Sequence, residues 1–326
     1  MTTTTTTTMK VFIDEGTTHV KLGWKDKEGK LHLNITPNGI ISGHMPESGL
    51  PQANYTIKGQ QYAFSPVSAG TLPTTHVSFQ YSDLNVLAVH HALHESGLEP
   101  QEVDIVVTLP LSEYYNSDNG RNQFNIDRKI KIYAEAVEKM KAKPFTVKNV
   151  EVRPEAIPAG LLHVDSLKEG DSLLIIDIGG TTVDLAHVAH DMSSVYRMSC
   201  LNELGANNIV QALKNSLLKH GENPSDVRLH TIIKKRADTE WLDSIFNNPE
   251  SAESVDSVVD KAAADLMKKI SNAITHYSGY SHVALVGGGA DPVAPHAAEA
   301  LGIRKERIFV SDEPQLELVK GMIQLG

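Results

Sequence analysis

The sequence predicts an α/β fold of two related domains, each a mixed, mostly parallel sheet flanked by helices, with a ligand cleft between them. Three observations carry that prediction. A strand–Asp–turn–strand unit occurs twice: Val11-Phe12-Ile13-Asp14-Glu15-Gly16-Thr17-Thr18-His19-Val20-Lys21-Leu22 aligns without a gap on Leu174-Ile175-Ile176-Asp177-Ile178-Gly179-Gly180-Thr181-Thr182-Val183-Asp184-Leu185. Asp14 and Asp177 stand half a chain length apart in 326 residues. Each unit then leads through a helix to a buried strand that opens into a loop, Thr108-Leu109-Pro110 in one half and Gly287-Gly288-Gly289 in the other. Strands alternating with helices give mostly parallel sheets covered by those helices, and ligands lie beyond the carboxyl ends of the strands.

In chain order, Met1 and seven threonines form a low-complexity leader, residues 1–8, expected to be disordered. Lys10–Ile13 and Val20–Trp24 read as strands, and the turn Asp26-Lys27-Glu28-Gly29 leads into an alternating strand, Leu31–Ile35. Residues 37–80, rich in Pro, Gly, Ser and Tyr, read as an inserted subdomain of short strands and loops. Ser82 or Asp83 caps a helix through Leu84, Leu87, Ala88, His91 and Ala92 to Glu95, closed by Gly97. Val103–Thr108 is a buried strand stopped by Pro110; a polar loop over 114–125 and a basic helix from Asp127 to about Lys141 follow. Thr146–Arg153 is a strand, and Glu155–Leu162 begins a helix beside Pro154 and Pro158.

The second half repeats the plan. Leu173–Ile176, Val183–Ala189 and Val195–Met198 are strands. Gly205–His220 is an amphipathic helix with Ile209, Val210, Leu213 and Leu217 on one face. Val255 through Ile274 marks a long helix feeding the strand His282–Val286, and Glu313–Leu325 is helical. The division is a first domain over 9–165, a second over 166–312, and a C-terminal helix over 313–326 packing back on the first.

The two turns have a chemical logic. An apolar strand ending in an acid puts the carboxylate at a sheet edge facing a crevice. Glycines let backbone N–H groups approach an anion closely, and threonine hydroxyls add donors that rotate to suit phosphate oxygens. Two such turns facing each other can grip a polyphosphate. Asp14 and Asp177 would then repel it unless a cation intervened, and Mg²⁺ does this largely through its own waters and one or two carboxylates. Either segment alone also reads as an ordinary hairpin with Asp at its turn; the matched pair at half-length spacing favours the phosphate reading.

Composition bounds the rest. With 40% hydrophobic and 21% charged residues the chain has the make-up of a soluble globular protein. No run approaches the roughly 20 apolar residues that span a bilayer, so no membrane partner is expected, and no signal peptide is visible. The single cysteine, Cys200, excludes a disulfide framework and a cysteine-held zinc or iron–sulfur site. A net charge of −10 argues against direct DNA binding, and the basic trio Lys234-Lys235-Arg236 reads as a solvated face. His90, His91 and His94 read as surface or packing residues. Lys21 and Asp184 occupy the same place in the two copies and read as strand residues.

At this point the residues resemble a family. The two Asp–Gly–Thr turns and Val286-Gly287-Gly288-Gly289-Ala290 look like the two phosphate motifs and the adenosine motif of the actin, sugar kinase and heat-shock chaperone superfamily. Tyr81-Ser82-Asp83-Leu84-Asn85-Val86, Ala88-Val89-His90-His91-Ala92-Leu93, Thr108-Leu109-Pro110-Leu111, Pro154-Glu155-Ala156-Ile157-Pro158-Ala159-Gly160 and Ser278-Gly279-Tyr280-Ser281-His282 are similar to the ParM (StbA) plasmid-segregation actins of bacteria. The likeness runs from Met9 to the C-terminus and is loose over 114–145 and 190–260.

The resemblance implies an actin-like fold with a nucleotide cleft. It implies a cytoplasmic ATPase, also accepting GTP, that polymerises on nucleotide binding into two-stranded, head-to-tail filaments. An adaptor protein bound to a centromere-like plasmid DNA site would capture filament ends, and growth would push plasmid copies apart. Gly16, Thr17 and Thr18 would face the phosphates from one domain, and Gly179, Gly180, Thr181 and Thr182 from the other. Asp14 and Asp177 would hold Mg²⁺, largely through water. Glu155 would position the attacking water, with Asp177 as the second catalytic acid; by residue chemistry alone Glu155 reads first as a helix-start acid, and the resemblance reverses that. Gly287, Gly288 and Gly289 would lie against adenine and ribose, and Gly205 would help close the base pocket. A small-molecule kinase of the same superfamily is the alternative, although no sugar-site pattern follows Thr108-Leu109-Pro110. A chaperone would need a further domain, and a non-enzymatic scaffold would not need the two aspartates and Glu155.

Overall fold

The structure, a computed structural model, describes residues 8–46, 52–65, 68 and 70–326; the reading of the leader, residues 1–8, lies outside these but for Thr8. Its first half contains β1 (Met9–Glu15), β2 (His19–Lys25), β3 (Leu31–Pro37), β4 (Ile40–Ser42), β5 (Asn54–Ile57), β6 (Gln60–Phe64), α1 (Asp83–Glu95), β7 (Glu102–Leu109), α2 (Leu111–Tyr114), α3 (Gln123–Ile132), β8 (Val137–Lys139) and β9 (Thr146–Pro154). The second contains β10 (Ser172–Ile178), β11 (Thr182–Ala189), β12 (Val195–Asn202), α4 (Asn207–Lys219), α5 (Asp226–Lys234), α6 (Thr239–Ile245), α7 (Pro249–Ala273), β13 (His282–Val286), α8 (Ala290–Leu301), β14 (Ile308–Phe309) and α9 (Glu317–Leu325).

The repeat seen in the sequence is a repeat of topology. One five-stranded sheet runs β3-β2-β1-β7-β9 and the other β12-β11-β10-β13-β14. In each, the acid-bearing strand is central. It pairs antiparallel with the strand after its turn and parallel with the strand after the helix. Central strands are covered on both faces, which is why Ser172–Ile178 and Thr182–Ala189 are buried without alternation and Leu173–Ile176 is wholly apolar.

Each sheet has its own core. α1 lays Val86, Leu87, Val89 and Leu93 into the first with Val11, Ile13, Ile105 and Val107. Ser82 caps this helix, accepting from the Asn85 N–H. In the second, α4 and α7 bring Ile209, Leu213, Val255, Leu266 and Ile270 against Leu174, Ile176, Val183 and Leu185. A smaller cluster joins Leu318, Val319 and Met322 of α9 to Phe12 and Val106 on the first sheet. A Cβ at Gly321 would strike the Pro158 carbonyl, so this glycine lets α9 touch the 3₁₀ segment Ile157–Ser166.

Three local readings differ. The basic helix expected from Asp127 to Lys141 runs from Gln123 to Ile132 instead, because Val137–Lys139 leaves it to pair with β5 in a small sheet, β4-β6-β5-β8. Tertiary pairing overrides helix propensity there. In place of the helix expected over Glu155–Leu162 stands the 3₁₀ segment Ile157–Ser166. Two helices, α5 and α6, occupy a stretch with too short a periodic pattern to read in advance.

Candidate active site

A cavity of about 420 Å³ lies between the two sheets, at the carboxyl ends of β1 and β10. Asp14, Gly16, Thr17, Thr18, Glu155, Asp177, Gly179, Gly180, Thr181, Thr182, Gly287 and Gly288 all line it. Gly205 and Gly289 stand one layer back. A Cβ at Gly205 would lie 2.6 Å from the Gly180 carbonyl oxygen, and one at Gly289 would run into Ile178. Both glycines therefore let the α4 and α8 segments press against the second turn.

The two turns touch. Thr17 Oγ1 and Thr181 Oγ1 share a hydrogen bond of 2.9 Å, and a Cβ at Gly180 would come within 2.6 Å of Thr17 Oγ1. Gly287, at φ +86°, arches over Asp177, and a Cβ there would strike Asp177 Oδ1.

The aligned positions behind the two acids carry opposite charges. On the first hairpin Asp14 faces Lys21 across the strands, and Lys21 Nζ donates to Asp14 Oδ2 at 2.9 Å. Burial alone would lower the Lys21 ammonium, but Asp14, Asp177 and Glu155 outweigh it and the net shift is upward. On the second hairpin Asp177 faces Asp184. Burial first, then Asp14 and Asp184, push the Asp177 carboxyl up to about 8. Burial also raises Asp184 to about 6, against hydrogen bonds from the Leu111 N–H at 2.7 Å and the Thr182 hydroxyl at 3.0 Å.

Glu155 sits on strained backbone. The next residue, Ala156, is fully buried at φ 62°, ψ −59°, a conformation that costs a residue with a Cβ on the order of 1–3 kcal/mol. Glu155 lines the cleft, and the Ala156 N–H acts on the Asp177 carboxyl against its upward shift. Burial, followed by Asp184, Asp14, Asp177 and Glu15, holds the Glu155 carboxyl well above the carboxylate range. Glu155 itself is half-buried at the wall of the cavity.

Among the described residues no group of three or more His, Cys, Asp or Glu side chains is arranged to hold a metal ion. A cation between Asp14 and Asp177 would complete its shell with water and ligand oxygens, as Mg²⁺ does. The upward-shifted Asp177 fits that completion, since a cation offsets its repulsion by Asp14.

Several lining residues were not identified from sequence. Lys21 lies on β2, as the sequence suggests, and also lines the cavity; a lysine between Val20 and Leu22 on a buried strand needs a carboxylate nearby, which is the available signal. His19 packs edge-to-face on His230 of α5, ring centroids 5.1 Å apart, from across the cavity. Lys234 and Lys235 are exposed, as a solvated face requires, and with Arg236 and Asp291 they also line the cavity. Gln80 lines it too. Asp184 does not; it ties the start of α2 to the second hairpin.

Two sheets of identical strand order, closing on a cavity through paired Asp–Gly–Thr turns, define an actin-like protein. The structure is similar to an archaeal actin homolog in complex with ADP, at TM-score 0.68 and 15% identity over 96% of this chain and 97% of that one. It is also similar to a non-polymerisable quadruple mutant of pCBH ParM, at TM-score 0.72 and 14% identity over 98% and 99%. A 15-stranded ParM filament from Clostridium botulinum aligns at TM-score 0.70 and 16% identity over 98% of each chain. No curated protein sequence matches. Family models described as plasmid segregation protein ParM, N-terminal, and plasmid segregation protein ParM, C-terminal, match residues 9–166 and 167–325, and the chain belongs to this family of actin-like plasmid-segregation proteins. Nothing in the cleft favours the small-molecule kinase. Among the described residues, no helix is long and apolar enough to cross a membrane.

Proposed function

We propose that the cleft binds ATP, or GTP, with Mg²⁺ and hydrolyses it, and that the bound nucleotide drives assembly of head-to-tail filaments. The observation that carries this reading is the meeting of both turns, Asp14, Asp177 and Glu155 around one cavity. In it, Thr17, Thr18, Thr181 and Thr182 donate to phosphate oxygens, and Lys21 adds a positive charge. Bound Mg²⁺, held by Asp14 and Asp177 largely through water, supplies charge neutralisation on the phosphates. Glu155 orients the attacking water and accepts a proton from it. The water oxygen bonds to the terminal phosphorus as the bond to the bridging oxygen breaks. That electron pair leaves with the diphosphate, and the proton passes on to the released phosphate. Positioning of this kind does most of the work in phosphoryl transfer.

A terminal phosphate held from both domains acts as a switch: its loss removes one set of contacts and frees a hinge. Head-to-tail contacts that do not close a ring extend into filaments. A ParM structure from Clostridium botulinum is itself a filament, which supports the reading. An adaptor on plasmid DNA would couple growth to cargo; the chain's charge of −10 leaves that contact to a partner. The site of action on this reading is the bacterial cytoplasm.

The test is pelleting with light scattering in Mg-ATP, Mg-GTP, Mg-ADP and a non-hydrolysable analogue, for wild type and Glu155→Ala. Assembly that decays as phosphate is released, and persists in the variant, is expected. Intact nucleotide binding with no polymer under any condition would sink the filament reading.

A further inference from the structure

Gln80 is held in one orientation by a cation behind it. Lys129, wholly buried on α3, lies 2.7 Å from Glu15 Oε1 and donates to the Gln80 backbone oxygen at 2.9 Å, to Gln80 Oε1 at 2.7 Å and to Asn85 Oδ1 at 3.1 Å. Glu15 is fixed in turn, because both its carboxylate oxygens accept from the Thr108 N–H, at 3.2 and 3.1 Å. An ammonium has donors and no acceptor, so the atom of the Gln80 carboxamide that meets Lys129 must be its oxygen. The amide nitrogen then points the other way.

On that side the protein uses little of it. Among the described residues its partner is the Glu15 carbonyl, at the outer limit of 3.5 Å. A carboxamide nitrogen carries two N–H donors, so at least one is unclaimed on a residue only 2% exposed. Gln80 lines the cleft beside Thr17, Pro110 and Glu155. The Glu155 charge acts on Lys129, so the network lies within electrostatic range of that acid.

We propose that Gln80 is a further catalytic residue of the cleft, donating its amide N–H to an oxygen of the terminal phosphoryl group, with Lys129 the positioning residue that sets which way the amide faces. This rests on the nucleotide reading above. A donor fixed before the reaction, aimed where negative charge gathers, stabilises the transition state without reorganising. The buried Glu15–Lys129 pair supplies that fixity: an apolar pair in its place would pack as well but would leave the amide free to flip.

The experiment compares wild type with Gln80→Glu and Gln80→Met in Mg-ATP, measuring kcat for phosphate release, KM, ADP affinity and melting temperature. Gln80→Glu keeps an oxygen for Lys129 and puts an acceptor where the donor was. The expected result is a kcat lowered on the order of 10²-fold, with ADP affinity within about threefold and an unchanged or higher melting temperature. Gln80→Met, of similar volume, gives the same kcat loss and serves if the charged variant misfolds. A kcat within about twofold of wild type in both variants overturns the assignment to Gln80, as does a loss confined to melting temperature. A wild type that neither binds nor hydrolyses nucleotide overturns the nucleotide reading itself, and this inference with it.

Discussion

Thr17 and Thr181 hydrogen-bond to each other at 2.9 Å across the cleft, so the two halves of the repeat meet at their phosphate turns. The contact explains an asymmetry between them. Thr17 aligns with Gly180, and a side chain at Gly180 would occupy the space of the Thr17 hydroxyl. One turn is Gly-Thr-Thr and the other Gly-Gly-Thr because a threonine from one must fit over a glycine of the other.

If this bond closes the cleft in solution, Thr17→Val and Thr181→Val will not be additive. Each removes a hydroxyl and keeps the shape. A double-mutant cycle on denaturant unfolding without nucleotide is expected to give a coupling of about 0.5–1.5 kcal/mol. Strict additivity would mean that the turns stand apart when the cleft is empty.

The Lys21–Asp14 pair makes a sharper claim. Their side chains are only 8% and 11% exposed. Lys21→Met leaves Asp14 unpaired close to Asp177, and removing one partner of such a pair costs on the order of 3 kcal/mol. Adding Asp14→Asn to Lys21→Met should restore most of that stability without restoring nucleotide affinity. Chemical denaturation and nucleotide titration of the three variants separate the two effects. Recovery of both together would show that Lys21 acts only as a counter-ion.

Fold and site were unequally legible in the sequence. The duplicated hairpin was readable because a strand ending in an acid, followed by Gly and Thr, is a local pattern, and the shared strand order follows from it. Residues whose role depends on a distant partner were not readable. Gln80 takes its orientation from Lys129, and His19 meets His230 only through tertiary packing. Lys234 and Lys235 are exposed as a basic run suggests, but the place of Lys234-Lys235-Arg236 at the cleft was not readable because α5, which ends at Lys234, is too short to announce itself by periodicity. Glu155 was marked by motif resemblance; the twist at Ala156 beside it has no signature in composition.

α1 carries a pH liability. His90 is 3% exposed with neither ring nitrogen partnered, and burial, with a smaller contribution from His94, lowers its pKa to about 4. Burial likewise takes His91 to about 3 and His94 to about 4, with Lys139 next in effect on both. The sign follows from linkage. A histidine whose folded pKa lies below its unfolded value of 6.5 contributes its full stability above pH 6.5, and loses it as pH falls from there toward the folded value. His90→Met should therefore flatten the acid side of the stability curve, and its advantage over wild type should grow by about 2 kcal/mol between pH 7.5 and pH 5. Parallel curves for the two proteins over that range would show that His90 is solvated in solution.

Gly287 is the place where backbone conformation and site chemistry are least separable. It is the first residue after β13, its N–H donates to the Pro314 carbonyl at 2.9 Å, and its φ of +86° turns the chain so that Gly288 can line the cavity. Gly287→Ala meets two obstacles. The left-handed backbone costs a residue with a Cβ on the order of 1–3 kcal/mol. The new methyl would also collide with Asp177 Oδ1 and with the Ile178 carbonyl behind it, so the Asp177 carboxylate must rotate away from the cleft. The expected result is a fall in melting temperature together with a loss of nucleotide affinity of at least about tenfold, since 1.4 kcal/mol of displaced contacts suffices for that. Gly302→Ala is the control: it has a comparable φ of +63°, at the end of α8, with open space around the position of its Cβ. It should lower stability alone. Equal affinity losses in the two variants would show that the effect of Gly287→Ala comes through general destabilisation rather than through Asp177.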